Sequence, residues 1–203
     1  STTERPDDGV LLVGAVLPTS GNAVDLGRAM SVALDVALDE VNAGGGVNGL
    51  TIAAAATVQG LVLNRFADYG IRVTAGGAGS VIRGNFVGTN VAGTAASGNN
   101  RDNAGIGGGV ILFSTGPVTI GGTAPSARNL VSGNTLGCVR GIELWESSGN
   151  TIQGNYVGTN AAGTAAIGNG CAGIALDGNV GGSDNNLIGG GVAGAGNLLS
   201  GNG

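Results

Sequence analysis

The chain has 203 residues, of which 44 are glycine and only 4 proline; 42% are hydrophobic, 10% are charged, and the net charge is -5. Scarce proline without a Gly-X-Y period excludes collagen, and this much apolar content excludes a disordered polymer. All eight basic residues are arginine and histidine is absent. The composition therefore carries no footprint for nucleic acid, and it lacks the commonest transition-metal ligand and neutral-pH proton carrier.

No apolar run is long enough to span a bilayer, so no membrane insertion is expected. The opening Ser1-Thr2-Thr3-Glu4-Arg5-Pro6 is not a signal peptide, and the chain reads as a mature or excised piece. Val10 to Leu17 form a short apolar strand stopped by Pro18. From about Asn22 to Asn42, Leu26, Met30, Ala33, Ala37 and Val41 recur at helical spacing with Asp25, Arg28, Asp35 and Asp39 opposite. That is an amphipathic helix, ended by Gly44-Gly45-Gly46. Residues 1–52 are thus expected to be a strand plus a helix that caps a solenoid.

Leu17-Pro18-Thr19-Ser20-Gly21 and Asp39-Glu40-Val41-Asn42-Ala43-Gly44-Gly45-Gly46-Val47-Asn48-Gly49 resemble the start of branched-chain amino-acid-type periplasmic solute-binding proteins. The likeness covers about residues 9 to 52. It implies a local β-α shape and no ligand residues, because those proteins hold their ligand between two lobes that the rest of the chain does not supply.

The remainder repeats. Val81-Ile82-Arg83-Gly84-Asn85-Phe86-Val87-Gly88-Thr89-Asn90 returns as Thr151-Ile152-Gln153-Gly154-Asn155-Tyr156-Val157-Gly158-Thr159-Asn160, each followed by an Ala-Gly-Thr-Ala-Ala loop. A second unit, Ile120-Gly121-Gly122 with Asn129-Leu130-Val131-Ser132-Gly133-Asn134, returns as Ile188-Gly189-Gly190 with Asn197-Leu198-Leu199-Ser200-Gly201-Asn202. Within this long period, Gly70-Ile71-Arg72-Val73, Gly109-Val110-Ile111-Leu112, Gly141-Ile142-Glu143-Leu144 and Gly173-Ile174-Ala175-Leu176 start successive coils. Short strands repeating between glycine and asparagine corners indicate a solenoid of stacked coils over residues 53–203. These repeats resemble the right-handed parallel β-helix of the pectate-lyase-like superfamily. The resemblance implies an all-β solenoid and its handedness, but little about function, because that superfamily includes lyases, hydrolases, adhesins and scaffolds.

Aligning the four Gly-Ile-x-Leu strands assigns side chains to faces. Ile71, Val110, Ile142 and Ile174 point inward with Val73, Leu112, Leu144 and Leu176; Arg72, Ile111, Glu143 and Ala175 point outward. The next outward column holds Thr74, Phe113, Trp145 and Asp177. Phe113 and Trp145 are thus expected to be neighbours on the exterior, surrounded by Arg72, Glu143, Glu146 and Asp177. Such an aromatic shelf with charged hydrogen-bonding partners suits a sugar, the competing reading being a loop folded back over the rings.

Glu143, Glu146 and Asp177 could in principle pair as acid and nucleophile or as acid and base, which glycoside hydrolysis requires, but isolated exposed carboxylates ordinarily serve solubility. No lysine is present and the arginines do not cluster with aspartates, so lyase chemistry is not indicated. Gly181-Gly182-Ser183-Asp184 is a corner more than a calcium motif. Cys138 and Cys171 precede adjacent strands by nearly equal distances, placing them on neighbouring coils within disulfide reach, either bonded or as a reduced pair. Asn85, Asn134, Asn155 and Asn202 close the repeat units and suit coil-to-coil stacking, in one column or more.

The sequence thus points to a non-catalytic extracellular or envelope module of bacterial type, structural or polysaccharide-contacting, without metal or cofactor. A fragment of a polysaccharide-active enzyme and a solute-binding fragment are the alternatives. The carboxyl-terminal Leu198-Leu199 repeats a mid-stack strand with no polar cap after it, so further coils or self-association are expected at that edge.

Overall fold

The computed structural model describes residues 48–101, 107–178 and 181–203. The strand and helix expected before residue 48 lie outside the described residues. From Asn48 to Gly203 the chain forms a compact unit of five coils, each contributing three short strands. The first coil comprises β1 (Leu50–Ile52), β2 (Thr57–Gln59) and β3 (Val62–Leu63), and the second β4 (Tyr69–Val73), β5 (Val81–Arg83) and β6 (Phe86–Val87). The third comprises β7 (Gly108–Phe113), β8 (Thr119–Gly121) and β9 (Leu130–Val131), and the fourth β10 (Arg140–Trp145), β11 (Thr151–Gln153) and β12 (Tyr156–Val157). β13 (Ile174–Asp177), β14 (Leu187–Ile188) and β15 (Leu198–Leu199) complete the fifth.

Equivalent strands of successive coils pair in parallel and build three five-stranded sheets, here called A, B and C in the order the chain visits them. This is a parallel β-helix. Its register is the one the repeats imply: Ile71, Val110, Ile142 and Ile174 form one ladder and Val73, Leu112, Leu144 and Leu176 the next. Residues 48–52 also belong to the stack. Gly49-Leu50-Thr51-Ile52 is a fifth copy of the strand motif, and Leu50 pairs with Ile71.

Inward side chains from the three sheets meet in a dry core. Ile71, Ile82, Ile120, Ile142, Leu144, Ile152 and Val157 have no exposed surface, and each contributes roughly 1.5–3 kcal/mol by leaving water. The glycine heading each sheet A strand is forced by this packing. A Cβ on Gly141 would lie 2.7 Å from Val157 Cγ1 and 2.6 Å from the Gly173 carbonyl, and one on Gly109 would lie 2.4 Å from Val131 Cγ1. Glycine and the residue after it therefore both face the core, and the strand bends there.

The polar corners are closed by asparagine ladders. Asn85, Asn129, Asn155 and Asn197 form one, in which each Oδ1 accepts both the backbone N–H and the side-chain amide of the preceding member, at 2.9–3.2 Å. Asn99, Asn134, Asn169 and Asn202 form a second. The four asparagines singled out from the repeats thus divide between two columns. Asn150 and Asn186 begin a third at the remaining corner. Ser183, in the corner read from Gly181 to Asp184, accepts a hydrogen bond from the Ser147 N–H and donates to main-chain carbonyls.

The last coil is open along its free edge. Leu176, Ile188 and Leu199 are 46%, 40% and 45% exposed, whereas Leu144, Ile152 and Val157, one coil earlier in the same columns, are fully buried.

Candidate functional site

The outer face of sheet A carries the densest chemistry among the described residues. Phe113, Trp145 and Asp177 pair in successive coils and stand in one column, as the alternation requires. Phe113 is 37% exposed, and Trp145 and Asp177 are half-buried. The Arg72 guanidinium lies 5.1 Å from the centre of the Phe113 ring, a cation–π distance that occupies one side of that ring.

Beside this column lies a polar cluster. Arg140 reaches Glu143 at 3.4 Å and Asp177 on the next coil at 3.2 Å, one guanidinium bridging two carboxylates. The Tyr69 hydroxyl donates to Glu143 Oε2 at 3.0 Å. Glu143 points away from the core, as its parity requires, yet it is only 3% exposed. It is not part of an open rim: Tyr69 and Arg140 engage it and close it off. Burial raises its pKa above the usual carboxylate range, and the Asp177 charge adds to the rise. The Tyr69 hydrogen bond and the Arg140 charge oppose it. Burial, then the Glu143 charge, push the Tyr69 hydroxyl well above the ordinary tyrosine value.

Tyr69 and Arg140 escaped the sequence reading for a physical reason. Strict alternation from Ile71 and Ile142 would send both inward. The bend at Gly70 and Gly141 reverses that parity, and the close approach of those glycines to Val87 and Val157 is its signature.

On a neighbouring corner Cys138 and Cys171 form a disulfide with their Cα atoms 4.9 Å apart. The two cysteines thus join adjacent coils, Cys138 just before β10 and Cys171 just before β13.

A family model described as periplasmic copper-binding protein (NosD) matches residues 31–195. The chain belongs to the NosD family. No curated protein and no solved structure matches it. The match begins inside the segment that resembles solute-binding proteins, and no comparison supports that likeness.

The family's name points to copper, and the donor set of this chain does not fit it. Copper sites draw on imidazole, thiolate and thioether ligands. The chain has no histidine and a single methionine, Met30, which lies outside the described residues. Both cysteines are consumed by the disulfide. Among the described residues no three histidine, cysteine, aspartate or glutamate side chains gather into a possible metal site. No helix among them is long and apolar enough to cross a membrane.

Proposed function

We propose that this NosD-family chain is a non-catalytic β-helix module of the cell envelope whose outer sheet A contacts polysaccharide. The observation that carries the reading is the Phe113–Trp145 column, two of the chain's few aromatics adjacent on an outer face, one of them exposed. Pyranose faces stack on such rings, and the partly exposed Arg140 and Asp177 supply charged partners for hydroxyls. The family's periplasmic description supports the location. Hydrolysis is disfavoured because Glu143 is buried against Tyr69 and Arg140 while Asp177 shares the same arginine, so neither is poised as a free acid or base. Binding to immobilised envelope and plant-type polysaccharides tests the reading. Phe113→Ala and Trp145→Ala should each abolish retention, and retention unchanged in both variants would remove it.

A second proposal concerns the exposed edge of the last coil, which we infer is covered by a second copy of this chain. Its support is the exposure of Leu176, Ile188 and Leu199 in core columns, together with the outer edges of β13, β14 and β15, which pair with no further strand among the described residues. Sedimentation velocity should show concentration-dependent association that Leu199→Gln weakens. A single monomeric species over the whole range would contradict it.

A further inference from the structure

We infer that two copies of this chain meet last coil to last coil about a two-fold axis, and that association closes at the dimer. The inference rests on the proposed covering of the last coil by a second copy and is independent of the polysaccharide reading. Three core columns run the length of the stack, one in each sheet. Their last members, Leu176, Ile188 and Leu199, are exposed. Their first members, Ile52, Val58 and Leu63, are buried. The first coil therefore has no matching apolar surface to offer a second copy. The last coil of that copy has the same three side chains.

The three corners carry the same polarity. At the beginning of the stack the N–H groups of Ala56, Leu61 and Phe66 donate to Ser80 Oγ, Asn85 Oδ1 and Asn99 Oδ1, one coil further on, at 3.0–3.1 Å. At its end the N–H groups of Asn150, Asn155 and Asn169 donate to the Oδ1 atoms of Asn186, Asn197 and Asn202 at 2.8–3.2 Å. These last three asparagines meet no further corner oxygen among the described residues. A head-to-tail copy would set Ala56, Leu61 and Phe66 against them, and none of those side chains can accept a hydrogen bond. The first coil thus fails to continue the ladders on polar grounds as well as apolar ones.

Two last coils complement one another instead. A two-fold axis sets the edge formed by β13, β14 and β15 against an identical edge running the other way. Antiparallel edges exchange N–H and C=O groups from both sides, so neither copy needs corner side chains from the other. The apolar triads face each other across the axis. Such a contact uses up both exposed ends, whereas head-to-tail contact would leave a fresh last coil free at every addition and run on as a filament.

Sedimentation velocity and pulsed electron paramagnetic resonance test the arrangement together. Thr57 is exposed on the first coil, and Thr57→Cys carries a nitroxide there while the native disulfide stays oxidised, with circular dichroism confirming the fold. Sedimentation should rise with concentration to a dimer and no further. The two labels should then lie nine coil spacings apart or more, at least about 43 Å for a spacing of about 4.8 Å. Oligomers that grow beyond the dimer, with labels five spacings or about 24 Å apart, would overturn the two-fold arrangement while leaving the covering by a second copy standing. A monomer at every concentration would remove both.

Discussion

The Tyr69 hydroxyl donates a 3.0 Å hydrogen bond to Glu143 across a separation of 74 residues, from the second coil to the fourth. Between them on the third coil is Gly108, which pairs with both Tyr69 and Arg140 and brings no side chain into the gap. A contact spanning the coils in this way requires the stack to be in register. A hydrogen bond to a charged partner is worth roughly 1.5–3 kcal/mol. Tyr69→Phe should therefore lower the unfolding free energy by about that amount at neutral pH, with a smaller loss in acid where Glu143 is protonated. Urea unfolding at the two pH values measures the difference.

The carboxyl group itself gives a second prediction. Its folded pKa is raised above the ordinary carboxylate value, chiefly by burial. Between those two values the native state binds more protons than the unfolded chain, so stability falls as pH rises through that window. Glu143 is fully penalised above its folded pKa and relieved as pH drops toward the ordinary carboxylate value. Glu143→Gln should flatten this slope. A variant whose stability declines with pH as steeply as the parent's would show that another group is responsible.

Asn155 has no exposed surface and sits inside its ladder. Its Oδ1 accepts from the N–H and amide of Asn129, and its amide donates to the Ile120 carbonyl. Asn155→Ala strands these buried groups at roughly 1–3 kcal/mol each, which in a domain of this size threatens folding outright. Asn197→Ala, at the half-exposed end of the same ladder, should cost less because water reaches the vacated position. Equal losses in thermal melts of the two variants would mean that burial does not set the cost.

Most of the solenoid was legible in the sequence because one geometric rule is applied repeatedly. Gly-Ile-x-Leu marks a bend followed by alternation, and aligning four copies placed Phe113 beside Trp145 and Cys138 beside Cys171. The copy at Gly49-Leu50-Thr51-Ile52 carried the same signal but was absorbed into the segment resembling another family. The polar cluster was less legible. Tyr69 and Arg140 lie before the bend, where alternation no longer assigns faces, and Glu143 is outward by parity but buried by neighbours that sequence spacing does not place. Asparagine partners could not be assigned to columns because the two coil types put their loops at different corners.

The bend itself is testable through its glycines. Gly141→Ala places a methyl 2.6 Å from the Gly173 carbonyl and 2.7 Å from Val157, and overpacking of this kind costs roughly 1–3 kcal/mol. Gly196 has nothing within 4 Å of the same position and no positive φ. Gly196→Ala should be neutral or slightly stabilising through the unfolded chain. Thermal melts that ranked the two variants in the opposite order would contradict the packing account.

The last prediction concerns the free edge. Val157 and Leu199 occupy the same inward column of sheet C on adjacent coils, yet Val157 is fully buried and Leu199 is 45% exposed. A polar amide at the two positions should therefore have opposite consequences. Val157→Gln places an unsatisfied amide in the dry core, a change that costs several kcal/mol once lost apolar burial is added, and the fourth and fifth coils should separate. At Leu199 the amide reaches water and little apolar burial is lost, so stability should change by less than about 1 kcal/mol. The same substitution removes apolar surface from the edge, so binding of a hydrophobic dye to the folded protein should fall. Dye fluorescence at constant folded fraction, measured beside urea unfolding, separates the two effects. If Leu199→Gln destabilised the chain as severely as Val157→Gln at concentrations where it is monomeric, Leu199 would already be buried within a single chain, and the edge would not be free to serve as the contact surface proposed for it.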